Sequence, residues 1–261
     1  MSDTQDRAQR LPPPNPKLIA IASGKGGVGK TWFAITLAHA LARKAGKVLL
    51  FDGDLGLANI DIQLGLIPER DLSEALAGKI SLREAVTHHA DTGFDVLTGR
   101  SGTGDMADLP VPRIARLIAD LQNLSQRYDR VVVDVGAGVD RSVQLLTAAS
   151  GRCILVVTDE PTSLTDAYAL IKVALAGRQD SDIGIVVNMA ETRAKAEKTY
   201  ETLAKACRNF LDREPALLGV VRRDPRVRDA IRAQMPLLSR SPSTDAAEDV
   251  EAIAARLLAE D

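Results

Sequence analysis

Cysteine is nearly absent: Cys153 and Cys207 are the only two, and they lie far apart. They cannot build a disulfide framework or a CxxC metal or cluster site, which suits a reducing compartment. Aromatic residues make up only 3% of the chain, so the core must be filled by Ala, Val, Leu and Ile. Charge of one sign is also lacking. With 33 Lys and Arg against 35 Asp and Glu, the formal balance of −2 advertises no global polycationic surface for nucleic acid. No apolar run approaches about 18 residues, so no membrane-spanning segment is expected. The opening stretch MSDTQDRAQRLPPPNPK is polar and proline-rich rather than leader-like, and the expectation is a cytoplasmic chain. His39, His88 and His89 have no Cys or ligand pattern around them and read as surface or packing residues.

What is present is ample apolar residue for a core: 45% of 261 residues. Residues 1–16 read as a flexible arm, stiffened by Pro12, Pro13, Pro14 and Pro16. Residues 17–261 read as one domain. LIAIAS (18–23) is a continuous apolar run of the kind a doubly buried parallel strand needs, followed by a Gly-rich turn and a helical pattern over 31–46. Further runs occur at 48–51, 94–97, 131–135, 153–158, 183–188 and 217–221. Helical patterns fall at 112–127, 140–149, 162–176, 192–211 and 224–234. Alternation of this kind predicts an α/β fold, with a mostly parallel central sheet and helices on both faces. An acidic stretch, 245–261, is helical by period, with Val250, Ile253, Leu257 and Leu258 on one side.

The most specific signal is Gly24-Lys25-Gly26-Gly27-Val28-Gly29-Lys30-Thr31, which meets GxxxxGK[ST] between a strand and a helix. Glycines let backbone N–H groups turn inward around phosphate oxygens, and the helix that follows offers its positive end. Lys30 can reach β- and γ-phosphates, and Thr31 can ligate Mg²⁺. FDGDLG (51–56) starts at the end of the second strand, so Asp52 and Asp54 face the same crevice. VVVDVGAG (131–138) ends a strand in Asp134, a carboxylate suited to Mg²⁺ through water, with Gly136 and Gly138 behind it. Asn188 ends a strand at the rim, where its amide has a donor and an acceptor for an adenine edge; a strand-ending turn is the plainer alternative.

The run KGGVGKT resembles the deviant phosphate loop of the MinD/ParA family of P-loop ATPases, and the resemblance extends from about residue 18 to the end. DGDLGLANIDIQLGL (52–66), LTGRSGTGDMADL (97–109), VVNMA (186–190) and GVVRRDPRVRDAIRAQMPLL (219–238) are similar to the flagellar-number branch known as FlhG or FleN. The resemblance implies ATP and ADP as nucleotides, Mg²⁺ as metal, and an ATP-sandwiched homodimer in which Lys25 reaches the partner's phosphates. It assigns Asp54 to the attacking water, Asp52, Asp134 and Thr31 to the metal, and Asn188 to the base, with Arg223 and Asp224 nearby. Trp32 stands where relatives carry a small or polar residue near the α-phosphate, so either packing or a phosphate role fits it. DVGAG departs from the usual DxPAG or DxAAG without touching Asp134. Residues 6–11 partly match a family motif that stimulates a flagellar SRP-type GTPase, with Arg7 in place of the glutamine.

The resemblance implies a slow, partner-regulated ATPase switch controlling flagellar number or placement. One alternative is a partition ATPase of ParA type. It would bind nonspecific DNA through Arg222, Arg223, Arg226, Arg228, Arg232 and Arg240. Another is a nucleotide sensor with an idle Asp54. Iron–sulfur carriers are excluded by the missing cluster cysteines. Membrane attachment is not expected, because the acidic 245–261 stretch would be repelled by anionic lipid.

Overall fold

The computed structural model describes residues 13–99 and 109–260. Strand β1 (Asn15–Ser23) leads through the Gly-rich loop into α1 (Lys30–Ala45) and returns as β2 (Val48–Gly53). Two short helices follow, α2 (Ile60–Leu64) and α3 (Leu72–Leu76), then β3 (Thr87–His89) and β4 (Phe94–Leu97). The remainder alternates: α4 (Val111–Ser125), β5 (Arg130–Ala137), α5 (Arg141–Ala149), β6 (Ser150–Val157), α6 (Pro161–Gly177), β7 (Ile183–Ala190), α7 (Arg193–Leu211) and β8 (Ala216–Arg222). Helices α8 (Pro225–Arg232), α9 (Leu237–Arg240) and α10 (Asp245–Ala259) complete the chain.

The strands form one eight-stranded sheet in the order β3-β4-β2-β5-β1-β6-β7-β8. All neighbours pair in parallel except β3 with β4. That antiparallel edge and the short α2, α3 and α9 are features the sequence reading did not include. Each is only three to five residues long, too short to establish a period. The first strand also starts at Asn15, inside the stretch assigned to the arm. Asn15 pairs with Ser150, and Pro16 lies so close to Gly151 that a Cβ there would stand 2.6 Å from it. The arm motif at 6–11 lies outside the described residues, as do positions 100–108 of LTGRSGTGDMADL.

Period-2 alternation divides the core. Leu18, Ala20 and Ala22 of β1 face one layer with α3 to α7, while Ile19 and Ile21 face the other with α1, α2 and α8 to α10. Right-handed crossovers explain the split: moving from β1 to β2 puts α1 on one side, and stepping the other way from β4 to β8 puts α4 to α7 on the opposite side. The chain therefore reverses direction beside β1, and a crevice opens at its carboxyl end. Helix α10 closes the α1 face by burying Val250, Ile253 and Leu257. Asp249 of that helix is buried too, held by Arg193 and Arg222, so it is not one of the solvent-facing acids the sequence suggested. Among the described residues no helix is long and apolar enough to cross a membrane.

Candidate functional site

The loop from Gly24 to Thr31 sits at that crevice, and its shape depends on two glycines. At Gly24 the backbone presses on α6: a Cβ would stand 2.2 Å from the Asp166 carbonyl carbon. Gly29, the residue before α1, has φ +84°, and a Cβ there would meet the Asn188 amide nitrogen at 2.5 Å. Val28 is buried and anchors the loop between them, while Gly26 and Gly27 stay exposed. No side chain caps the start of α1 and its first turn holds no acid, so its free N–H groups suit an anionic ligand.

Beneath the loop lie the carboxylates. Parallel pairing of β2 with β5 puts Asp52 directly across from Asp134, and each is only 1% exposed. Lys30 Nζ donates to Asp134 Oδ1 at 2.6 Å. Asp52 accepts from the backbone N–H groups of Asp54 (3.2 Å), Asn59 (3.1 Å) and Ile60 (3.2 Å) and from Thr98 Oγ1 (3.2 Å). Burial, and then the neighbouring charge of Asp134, pushes the Asp52 carboxyl up to about 7. Burial also raises Asp134, opposed by Lys30 and Thr31. Two buried carboxylates with one ammonium leave negative charge uncompensated. That oxygen-rich donor set fits a hard divalent cation such as Mg²⁺.

Asp54 is half-buried at the mouth, with Oδ1 accepting from the Leu57 N–H at 3.1 Å. It faces Gly136: a Cβ on that glycine would stand 3.6 Å from Asp54 Oδ1. The end of β5, which carries Gly136, is tied to β1, since the Gly138 N–H donates to the Ser23 carbonyl at 2.9 Å. Asp52, Asp54, Asp134, Lys30 and Thr31 are thus brought together as the sequence suggested. Asp52 differs in its contacts, because it also holds the start of α2.

Lys25 lies outside this cradle. Its Nζ donates to Glu160 Oε2 at 2.5 Å and to Thr162 Oγ1 at 3.0 Å, both at the start of α6. In the single subunit the lysine expected to serve a partner is therefore held by its own chain. Glu160 and Thr162 are functional candidates that sequence reasoning missed. The run Asp159-Glu160-Pro161 at a strand end was the available signal, because an acid before a proline-initiated helix sits at the same crevice.

Trp32, Asn188, Arg223 and Asp224 have contacts that the sequence does not show. Trp32 is buried in the core layer around α1, and its Nε1 has no hydrogen-bond partner, so its side chain packs rather than lining a phosphate cradle. The Asn188 amide donates to the Val28 carbonyl at 2.8 Å, so one of its two N–H groups holds the loop, while its other N–H and its Oδ1 take no part in that bond. Asp224 accepts from the Arg226 N–H at 2.9 Å and so caps α8, while the Arg223 N–H binds the Ala190 carbonyl and its side chain is exposed. Asn188, Arg223 and Asp224 lie at the carboxyl ends of β7 and β8, at one side of the crevice.

Residues 19–237 match the family pattern described as the CobQ/CobB/MinD/ParA nucleotide binding domain. The chain is 36% identical to "Antiactivator FleN" of Pseudomonas aeruginosa over 241 residues, 92% of this chain and 86% of that protein. It is 31% identical to "Flagellum site-determining protein YlxH" of Helicobacter pylori over 245 residues, 94% and 82% respectively. Among solved structures it is similar to the septum site-determining protein MinD complexed with Mg-ADP from Pyrococcus horikoshii, with a TM-score of 0.74, 25% identity, and coverage of 92% of this chain and 95% of that one.

Proposed function

Because the chain belongs to the CobQ/CobB/MinD/ParA nucleotide-binding family and is a P-loop ATPase of MinD/ParA type, we propose that it is an ATP-driven dimerisation switch with slow, partner-regulated hydrolysis. Its place would be the cytoplasm and its output the number or position of flagella. The observation that carries the switch is Lys25. A lysine that served only its own phosphates would sit in the cradle with Lys30; this one is parked at the rim on Glu160 and Thr162, free to be reassigned when a second subunit arrives. The flagellar output is supported by the relative named "Flagellum site-determining protein YlxH", and a regulatory role by the one named "Antiactivator FleN".

ATP is the substrate. The loop N–H groups and the start of α1 bind its phosphates, and Lys30 is shared between Asp134 and the terminal phosphate oxygens. Mg²⁺, held by Thr31 and Asp134 with Asp52 behind them, would neutralise charge developing on those oxygens. Asp54 lies at the mouth beside Gly136, where its carboxylate accepts a hydrogen bond from water and aims it at the γ-phosphate. DNA binding is less well supported. Arg222 of the basic stripe is consumed by ion pairs with Asp245 and Asp249. A flagellar SRP-type GTPase remains a candidate partner through residues 6–11.

Solution mass with and without Mg·ATP tests the reading. The wild type should double in mass on ATP, Lys25→Ala should bind ATP and stay monomeric, and Asp54→Ala should accumulate as dimer with turnover cut about 10²-fold. Dimers of Lys25→Ala, or normal turnover by Asp54→Ala, would overturn it.

A further inference from the structure

Most exposed large apolar side chains of the described residues are isolated or belong to loops at the nucleotide mouth. Ile62, Ile67 and Met235 are different. They are 51%, 93% and 43% exposed, and Gln234, next to Met235, bonds the Ile62 carbonyl and lies against Gly65, two residues before Ile67. Helix α2 is only five residues long and could not hold its shape alone. Its start is fixed by the Asp52 carboxylate, its underside by buried Ile60 and Leu64, and its far side by Gln234 Nε2, which donates to the Ile62 carbonyl at 2.8 Å. Met235 follows Gln234 directly, and its sulfur lies 3.7 Å from an Arg240 guanidinium nitrogen. The backbone of this edge is pinned, yet its apolar side chains face outward without cover, which marks an interaction surface.

Charge surrounds the strip. Arg226, Arg228 and Arg232 of α8 and Arg240 of α9 are all exposed. Arg222 is paired with Asp245 and Asp249, whereas none of these four has a carboxylate within ion-pair distance among the described residues. Arg228 and Arg232 are one turn apart and share a helix face. Asp229 is the acid lying among them on α8. An apolar strip beside unpaired arginines calls for a ligand with the opposite layout.

We propose that the edge formed by Ile62, Ile67 and Met235, with Arg226, Arg228, Arg232 and Arg240 beside it, docks an acidic amphipathic helix of a partner protein. Such a helix buries its apolar stripe on the strip and sets carboxylates against the arginines. DNA would engage the arginines and leave the three apolar residues against phosphate. A bilayer needs several protruding side chains to insert, whereas Ile67 alone stands clear of the surface and Ile62 and Met235 are only about half exposed. The strip is also connected to the nucleotide site, since Asp52 holds Asn59 and Ile60 while Asp54 accepts the Leu57 N–H. A ligand that draws on these carboxylates would move α2 and with it the docking surface.

The probe is a fluorescein-labelled model peptide with a leucine stripe and a glutamate face, titrated by anisotropy against the full chain without nucleotide. Its outcome is thereby independent of the ATPase reading. The wild type should bind, and a lysine-faced version of the peptide should not. Ile67→Asp, and separately Arg228→Glu with Arg232→Glu, should each weaken binding at least tenfold, with ATP turnover and ATP-dependent mass unchanged; all these positions are exposed, so the variants should fold. No binding by the wild type, or equal binding by the variants, would overturn the proposal. So would variants that lose affinity for duplex DNA or phosphatidylglycerol vesicles while keeping the peptide. Loss of the ATP-dependent dimer in Ile67→Asp would assign the edge to a second copy of this chain instead.

Discussion

Glu160→Ala should strengthen ATP-dependent dimerisation, because it removes the group that holds Lys25 within its own subunit. The pair is 2.5 Å apart, with the two side chains 38% and 58% exposed. At that exposure solvent screens the attraction, and a pair of this kind contributes about 0.2–1 kcal/mol. A dimer must release two such lysines, so the cost removed is about 0.4–2 kcal/mol, or roughly 2- to 30-fold in the dimer constant. Thr162 keeps a second contact at 3.0 Å, which places the expected gain toward the lower end. Glu160 makes no side-chain cap on α6, so the substitution leaves that helix intact and costs the monomer at most about 1 kcal/mol. Sedimentation velocity across a concentration series with Mg·ATP reads the constant directly. An unchanged constant would refute the tether as a restraint, and a weaker dimer would mean that Glu160 acts across the interface.

Lys30→Ala should abolish ATP binding by calorimetry and also lower apo stability at neutral pH by about 3 kcal/mol, because it leaves Asp134 buried without its cation. That penalty should shrink as pH falls, because burial already raises the Asp134 carboxyl and losing Lys30 removes the charge that opposes this, so a thermal-melt deficit independent of pH would refute the argument. Asn188→Ala should cost roughly 1 kcal/mol of loop order and weaken ATP binding about fivefold, as a hydrogen bond to the Val28 carbonyl is lost; undiminished affinity would remove its holding role. Burial, then Arg43 and His89, depresses His39 to about 4. Its stabilising contribution is therefore complete above about 6.5 and lost as pH falls toward 4, by at most about 3 kcal/mol. His39→Leu should flatten the denaturant midpoint over that window, and an unaltered slope would contradict it.

The long parallel strands and their helices were legible because each carries a full period: β1, β5 and β7 are apolar on both faces, and α4 and α7 repeat every three to four residues. The phosphate loop and the three aspartates were legible because their chemistry fixes spacing along the chain and placement at strand ends. What escaped depended on distant partners. That Asn188 also holds the Val28 carbonyl shows only once β7 brings the two together. Glu160 is an ordinary acid until α6 presents it to Lys25. Trp32 follows the last residue of the phosphate-loop motif, Thr31, in sequence, yet its helix turns the side chain inward. The α2 edge has no period at all; it is a short helix held by the Asp52 carboxylate and by Gln234, a glutamine 172 positions beyond Ile62.

Trp32 has a spectroscopic consequence. It is the only tryptophan in the chain, one residue beyond Thr31, and its indole N–H is buried with no acceptor. Emission excited at the red edge of absorption comes from this ring alone, undiluted by the three tyrosines. An indole sealed from water reports changes of local field and packing, so nucleotide arrival at the start of α1 can be timed in the unlabelled protein. The residue that departs from the family's pattern equips the loop with its own optical clock.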